Sequence, residues 1–190
     1  MPPRACYAID ADDRIVWTDA GFADLAASHG QPGLATHALG RPLIDFVAGE
    51  RPRALQQALI ARARRAADAE PLELRYRCDS PEMRRFAVLQ MTRQPDDRIL
   101  FTTWFEATEP RPHQPLLDPA APRADGATTR LCAWCNRIDP GDGWREVEDV
   151  APEADARPPA VEHGLCEICE LLLTSRPAGG PRWSGPSGRP

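Results

Sequence analysis

The sequence predicts an α+β protein: a five-stranded antiparallel sheet with short helices on one face, followed by a small metal-stabilised C-terminal module. Three observations predict it. Strand-like and helix-like segments follow one another over the first hundred residues as two strands, several short helices and three more strands. The turns between the last three strands suit a meander, and the early hairpin has to join the same sheet because a two-stranded ribbon is marginal alone. Two C-x-x-C pairs then stand in the C-terminal third.

The elements can be justified in order. CYAI and RIVWT flank Asp10-Ala11-Asp12-Asp13, whose turn-forming residues make the pair a hairpin. Thr18 or Asp19 can cap a helix whose apolar residues Phe22, Leu25 and Ala26 share one face, and SHGQPG ends it. PLIDFVAG, between Gly40-Arg41-Pro42 and Gly49, predicts one or two helical turns. Leu55, Ala58, Leu59 and Ala63 line one face of the next helix, and its basic run RPRALQQALIARARR reads as the solvated face. LELRYRC alternates Leu72, Leu74, Tyr76 and Cys78 with Glu73, Arg75 and Arg77, as a half-buried strand does. RFAVLQMT and RILFTTWFE follow, with Asp79-Ser80-Pro81 and Pro95-Asp96-Asp97 as turns.

The strand-helix stretch IVWTDAGFADLA, the segment LGRPLIDFV and the three closing strands together resemble a PAS sensory domain over residues 5–106. The resemblance implies a domain that binds a small ligand or a protein partner. The light-sensing flavin branch of that family has a reactive cysteine in the segment matching LGRPLIDFV, and none stands there, so a flavin photocycle is disfavoured. A PAS pocket could use His29 or His37 to ligate haem; solvent-exposed loop histidines are the alternative reading.

Residues 130–174 carry the strongest chemical signal. Cys132 and Cys135 form one C-x-x-C pair and Cys166 and Cys169 the other. Each pair can turn both sulfurs towards one point, and two such knuckles complete a tetrahedral site with no open position, which makes it structural. The longer loop between the pairs adds little closure entropy. Zinc is the expected ion, and binding it would supply folding energy that so short a module lacks. Iron is the next alternative, since four thiolates also suit a single iron or an iron–sulfur cluster. His163, three residues before Cys166, could replace one sulfur, or else sit in a turn with Gly164. Arg130 and Arg137 flank the first knuckle where they could offset its negative charge, and Trp134 and Trp144 are expected to cover the metal. CAWCNRI, DGWREVED and EHGLCEIC together resemble a cysteine-rich module found beside PAS and other signalling domains in bacterial regulatory proteins. A thioredoxin-type dithiol needs a lone C-x-x-C in a βαβ setting, which this segment lacks. Cys78 reads as a half-buried small residue or as a ligand-contacting or redox-sensing thiol, and Cys6 carries a weaker signal still.

Composition limits the function further. All 23 basic residues are arginine, which reads as the codon bias of a GC-rich bacterial genome. A net charge of -5 argues against general nucleic-acid binding, which rests on many cationic phosphate contacts. No G-x-S-x-G, P-loop or H-E-x-x-H constellation is present, so an enzyme is not expected; EVEDV is spaced like a helix surface. The N-terminus lacks a secretory signal and no apolar run is long enough to span a membrane, so a cytoplasmic protein is expected, where thiols stay reduced. Of the 21 prolines, many cluster between Pro110 and Pro122 and after Pro177, predicting a linker over 107–129 and a disordered tail over 175–190. The leading expectation is a non-enzymatic cytoplasmic regulator acting through a signalling partner or as a dimer, since no kinase, receiver or helix-turn-helix segment follows. The alternative is an iron- or thiol-based redox sensor or electron carrier.

Overall fold

A computed structural model describes residues 4–66, 71–150 and 157–174. Strands β1 (Arg4–Ile9) and β2 (Ile15–Thr18) form the expected hairpin. Asp10 closes its turn, its carboxylate accepting from the Asp12 and Arg14 N–H groups at 3.0 and 2.9 Å. Helix α1 (Ala20–Ser28) is capped by Asp19, whose side chain accepts from the Phe22 N–H at 2.7 Å and from the Cys6 N–H at 2.9 Å. A single-turn helix α2 (Leu34–His37), a 3-10 turn over Leu43–Phe46 and helix α3 (Glu50–Arg65) follow. Strands β3 (Leu72–Arg77), β4 (Met83–Arg93) and β5 (Ile99–Pro110) then build a meander.

The sheet order is β2-β1-β5-β4-β3, all neighbours antiparallel, so the hairpin joins the meander by pairing β1 with β5. That register sets Ile9 opposite Ile99 and Tyr7 opposite Phe101, then Phe101 opposite Met91 and Met91 opposite Leu72. Directly opposed residues share a face, so these side chains form one apolar surface. Leu55, Leu59, Ile60 and Ala63 of α3 cover it, and Tyr7 stacks on Phe101 at 4.5 Å and meets Phe22 of α1 at 5.4 Å. Each large side chain fully buried there contributes about 1.5–3 kcal/mol relative to exposure.

The C-terminal module has strands β6 (Thr128–Cys132), β7 (Ile138–Asp139) and β8 (Ala160–Gly164), and helix α4 (Glu167–Thr174). Its three-stranded sheet has β6 in the centre, antiparallel to β7 and parallel to β8. This module shares a core with the large sheet: the four cysteines belong to the same apolar cluster as Leu72 and Phe101. The approach is close at Gly49, just before α3, where a Cβ would lie 2.2 Å from the His163 carbonyl oxygen.

The first part of the proline-rich segment expected as a linker over 107–129 makes regular contacts with its neighbours. Residues 107–110 continue β5, with Pro110 opposite Met83. Beyond them the Arg111 N–H donates to Glu82 at 2.9 Å and the Gln114 N–H to Pro81 at 2.8 Å, while Leu116 and Leu117 pack against Leu131, Ile138 and Val147. The tail predicted for 175–190 lies outside the described residues. Among the described residues no helix is long and apolar enough to cross a membrane.

Candidate metal centre

The first knuckle is shaped by backbone hydrogen bonds. The Cys132 N–H donates to the Arg137 carbonyl at 2.8 Å and the Asn136 N–H to the Cys132 carbonyl at 3.0 Å. Asn136 takes a positive φ of 58°, a conformation Asn tolerates better than most side chains, and this turns the chain back after Cys135. The second knuckle leads into α4, with Cys166 just before it and Cys169 in its first turn. The Ala133 N–H donates to the Gly164 carbonyl at 2.9 Å and joins the two knuckles.

These turns bring the sulfurs of Cys132, Cys135, Cys166 and Cys169 within 4.8 Å of one another, all four residues buried. Cys135 and Cys166 Sγ are 3.7 Å apart. A disulfide would need about 2.05 Å, whereas four sulfurs each ~2.3 Å from a central tetrahedral ion stand about 3.8 Å apart. The donor set and spacing therefore fit a metal ion. Backbone amides already point at the sulfurs, Cys166 N–H at Cys132 Sγ and Cys169 N–H at Cys166 Sγ, both at 3.4 Å. Hydrogen bonds from Cys135, Cys166 and Cys169 lower the pKa of the Cys132 thiol.

The expected neighbours are placed differently. His163 lies on β8 and contributes no atom to the cluster. Arg130 pairs with Asp139 and lies over the Trp144 ring at 5.4 Å, and Arg137 pairs with Glu146 at 3.0 Å. Carboxylates are therefore the first partners of both arginines, although Cys135 and Cys166 add a smaller pull on Arg137. Trp144 and Trp134 are partly buried and pack against the shared apolar core to which the four cysteines also belong. Trp134 also pins the first knuckle to the edge of the large sheet: its Nε1 donates to the Arg75 carbonyl at 2.7 Å, and its own carbonyl accepts from the Arg77 N–H at 2.9 Å.

A buried ion network beside this pin was not anticipated. The Asp79 carboxylate, fully shielded from solvent, accepts from Arg77 and, at 3.1 Å, from Arg111, whose side chains are each 4% exposed. Arg77 also reaches Glu146, while Arg84 and Arg111 meet Glu148 at 2.8 and 3.1 Å. EVEDV is thus no helix surface: it holds a 3-10 turn over Val147–Asp149, and Glu146 and Glu148 meet Arg77 and Arg84 of the large sheet. The basic run of α3 is also more engaged than a solvated face implies, with Arg64 bonded to Asp13 and to the Asp10 carbonyl.

Of the candidate haem ligands, His37 Nε2 meets Arg41 Nη1 at 2.6 Å, and His29 Nε2 meets Cys78 Sγ at 3.5 Å and Arg85 Nη1 at 3.3 Å. In both rings Nε2 is thus already engaged. Cys6 lies on β1, its sulfur 3.7 Å from Thr102 Oγ1. No protein-family model matches the chain, and no curated protein matches it.

Proposed function

We propose that this chain is a non-enzymatic regulatory protein in which a structural zinc ion, held by Cys132, Cys135, Cys166 and Cys169, fastens a C-terminal interaction module to a PAS-like sensory sheet. The observation that carries the reading is the direct route from ligand to sheet: Trp134, between two of the cysteines, is hydrogen-bonded twice to β3. Four buried sulfurs leave no position for water or substrate, so the chemistry they support is holding rather than turning over. The five-stranded antiparallel sheet with helices on one face supports the PAS-like reading of residues 5–106. Signal output then passes through a protein partner in the cytoplasm or through self-association.

Metal analysis with an absorption spectrum on anaerobically purified protein tests this. About one zinc per chain and no visible absorption is the expected result. Visible iron–thiolate or iron–sulfur bands would replace it with the redox reading, and metal-free folded protein would overturn both. Light scattering tests the output: a strictly monomeric protein that engages no signalling partner contradicts the regulatory role.

A further inference from the structure

Cys78 and His29 stand 49 residues apart in the chain and meet outside the metal centre, at the junction of α1's C-terminal end with the end of β3. The Cys78 sulfur is 3.5 Å from His29 Nε2. The other ring nitrogen, Nδ1, is 2.9 Å from the Leu25 carbonyl oxygen, which can only accept, so Nδ1 carries the ring proton and Nε2 turns its lone pair to the thiol. Arg85 Nη1 donates to the same Nε2 at 3.3 Å, so the thiol and the guanidinium share that lone pair, and a cation stands beside the sulfur. Among the described residues Arg85 forms no ion pair with a carboxylate; its guanidinium lies over the Phe105 ring at 5.6 Å. Cys78 is half-buried, whereas the four clustered cysteines are buried. Burial pushes its thiol up to about 11 against the pull of Arg85, so the resting group keeps its proton and needs a base to react.

We propose that Cys78 is a base-assisted nucleophilic thiol that exchanges with small anionic disulfides, with His29 as the base and Arg85 as the cation that receives the reagent's carboxylate. In the step, Nε2 takes the Sγ proton as the sulfur attacks one sulfur of the reagent. The new S–S bond forms, the reagent's own S–S bond breaks, and the departing thiolate takes the proton from Nε2. Cys78 is oxidised to a mixed disulfide and half of the reagent is reduced to a thiol. Cys6 is an internal comparison, half-buried likewise but next to Thr102 rather than an imidazole.

The test uses the full-length, metal-loaded chain and two probes, dianionic dithiobis-nitrobenzoate and neutral dithiodipyridine, with the modified peptide identified by mass spectrometry. Cys78 should react with the dianionic probe at least about tenfold faster than Cys6. His29→Gln should slow both probes at Cys78 by about 10²-fold, the scale of general-base assistance. Arg85→Gln should slow the dianionic probe more than the neutral one, and added salt should erode the same preference in the unaltered protein. A His29→Gln protein that merely unfolded would expose Cys78 and react faster, so the sign separates the two cases. Cys78 reacting no faster than Cys6, His29→Gln leaving the rate unchanged or raising it, or a probe preference unaltered by Arg85→Gln would overturn the proposal.

Discussion

Gly49 offers the sharpest probe of how the cysteine module sits on the sheet. It precedes α3 with φ 88° and ψ 143°, close to a region that only glycine occupies without cost. Alanine there meets backbone strain of about 1–3 kcal/mol. Its Cβ would also stand 2.2 Å from the His163 carbonyl oxygen, so β8 or α3 must retreat by about 1 Å to reach ordinary contact. Forced overpacking of this kind costs about 1–3 kcal/mol, which brings the expected loss to roughly 2–6 kcal/mol. Gly33 is the control, since its φ of 90° is similarly left-handed but nothing lies within 4 Å of an added Cβ. Gly33→Ala should therefore cost only the strain of a left-handed residue, about 1–2 kcal/mol. The assay is urea unfolding of the metal-loaded proteins by circular dichroism, together with the rate at which a chelator extracts the metal. Gly49→Ala should lose more stability and release metal faster than Gly33→Ala. Equal losses and equal release rates would refute the close approach of α3 to β8.

Three further outcomes follow from the same contacts. Cys132→Ser should abolish stoichiometric metal binding and raise protease sensitivity in β3 as well as in the module, whereas Cys6→Ser should change neither; mass mapping of limited digests checks this. Asp79→Asn removes the charge that joins Arg77 to Arg111 and leaves buried cations unpaired, at a cost of about 3–5 kcal/mol read from the urea midpoint. Burial raises the Glu146 pKa, but Arg77 and Arg137 outweigh it and hold the carboxyl below its ordinary 4.5. Because the folded value is the lower one, its stabilisation is present above pH 4.5 and is lost as pH falls through the depressed value. The stability gap between the unaltered protein and Glu146→Gln should therefore close in acid, below pH 4.5; a gap that persists there contradicts the pairing.

Much of this architecture was legible because local chemistry decides it. The Asp10–Asp13 turn, the cap at Asp19 and the alternation over Leu72–Arg77 each act within a few residues, and the hairpin, α1 and β3 lie where those signals put them. The four cysteines were equally legible, since C-x-x-C spacing constrains a knuckle whatever surrounds it. The contacts joining the modules were not. Arg77 and Glu146 are 69 residues apart, and nothing in REVEDV distinguishes a solvated acidic face from one aimed at arginines of another sheet. Trp134 announced a cover for the metal through its place between the cysteines, but its bonds to Arg75 and Arg77 depend on β3 being an edge strand, a property of sheet order. Cys78 and His29 were each visible as chemistry-bearing residues, and their meeting depends on where α1 ends relative to β3.

Hydrogen exchange at the Arg77 amide tests the central claim most directly, because that N–H donates to the Trp134 carbonyl and so reports whether the metal knuckle holds the sheet edge. Removing the metal should speed exchange at Arg77 by about 10²-fold or more, while the amides of Val88 and Phe101 in the sheet interior stay protected. An Arg77 amide that exchanges at the same rate with and without the metal would contradict the account.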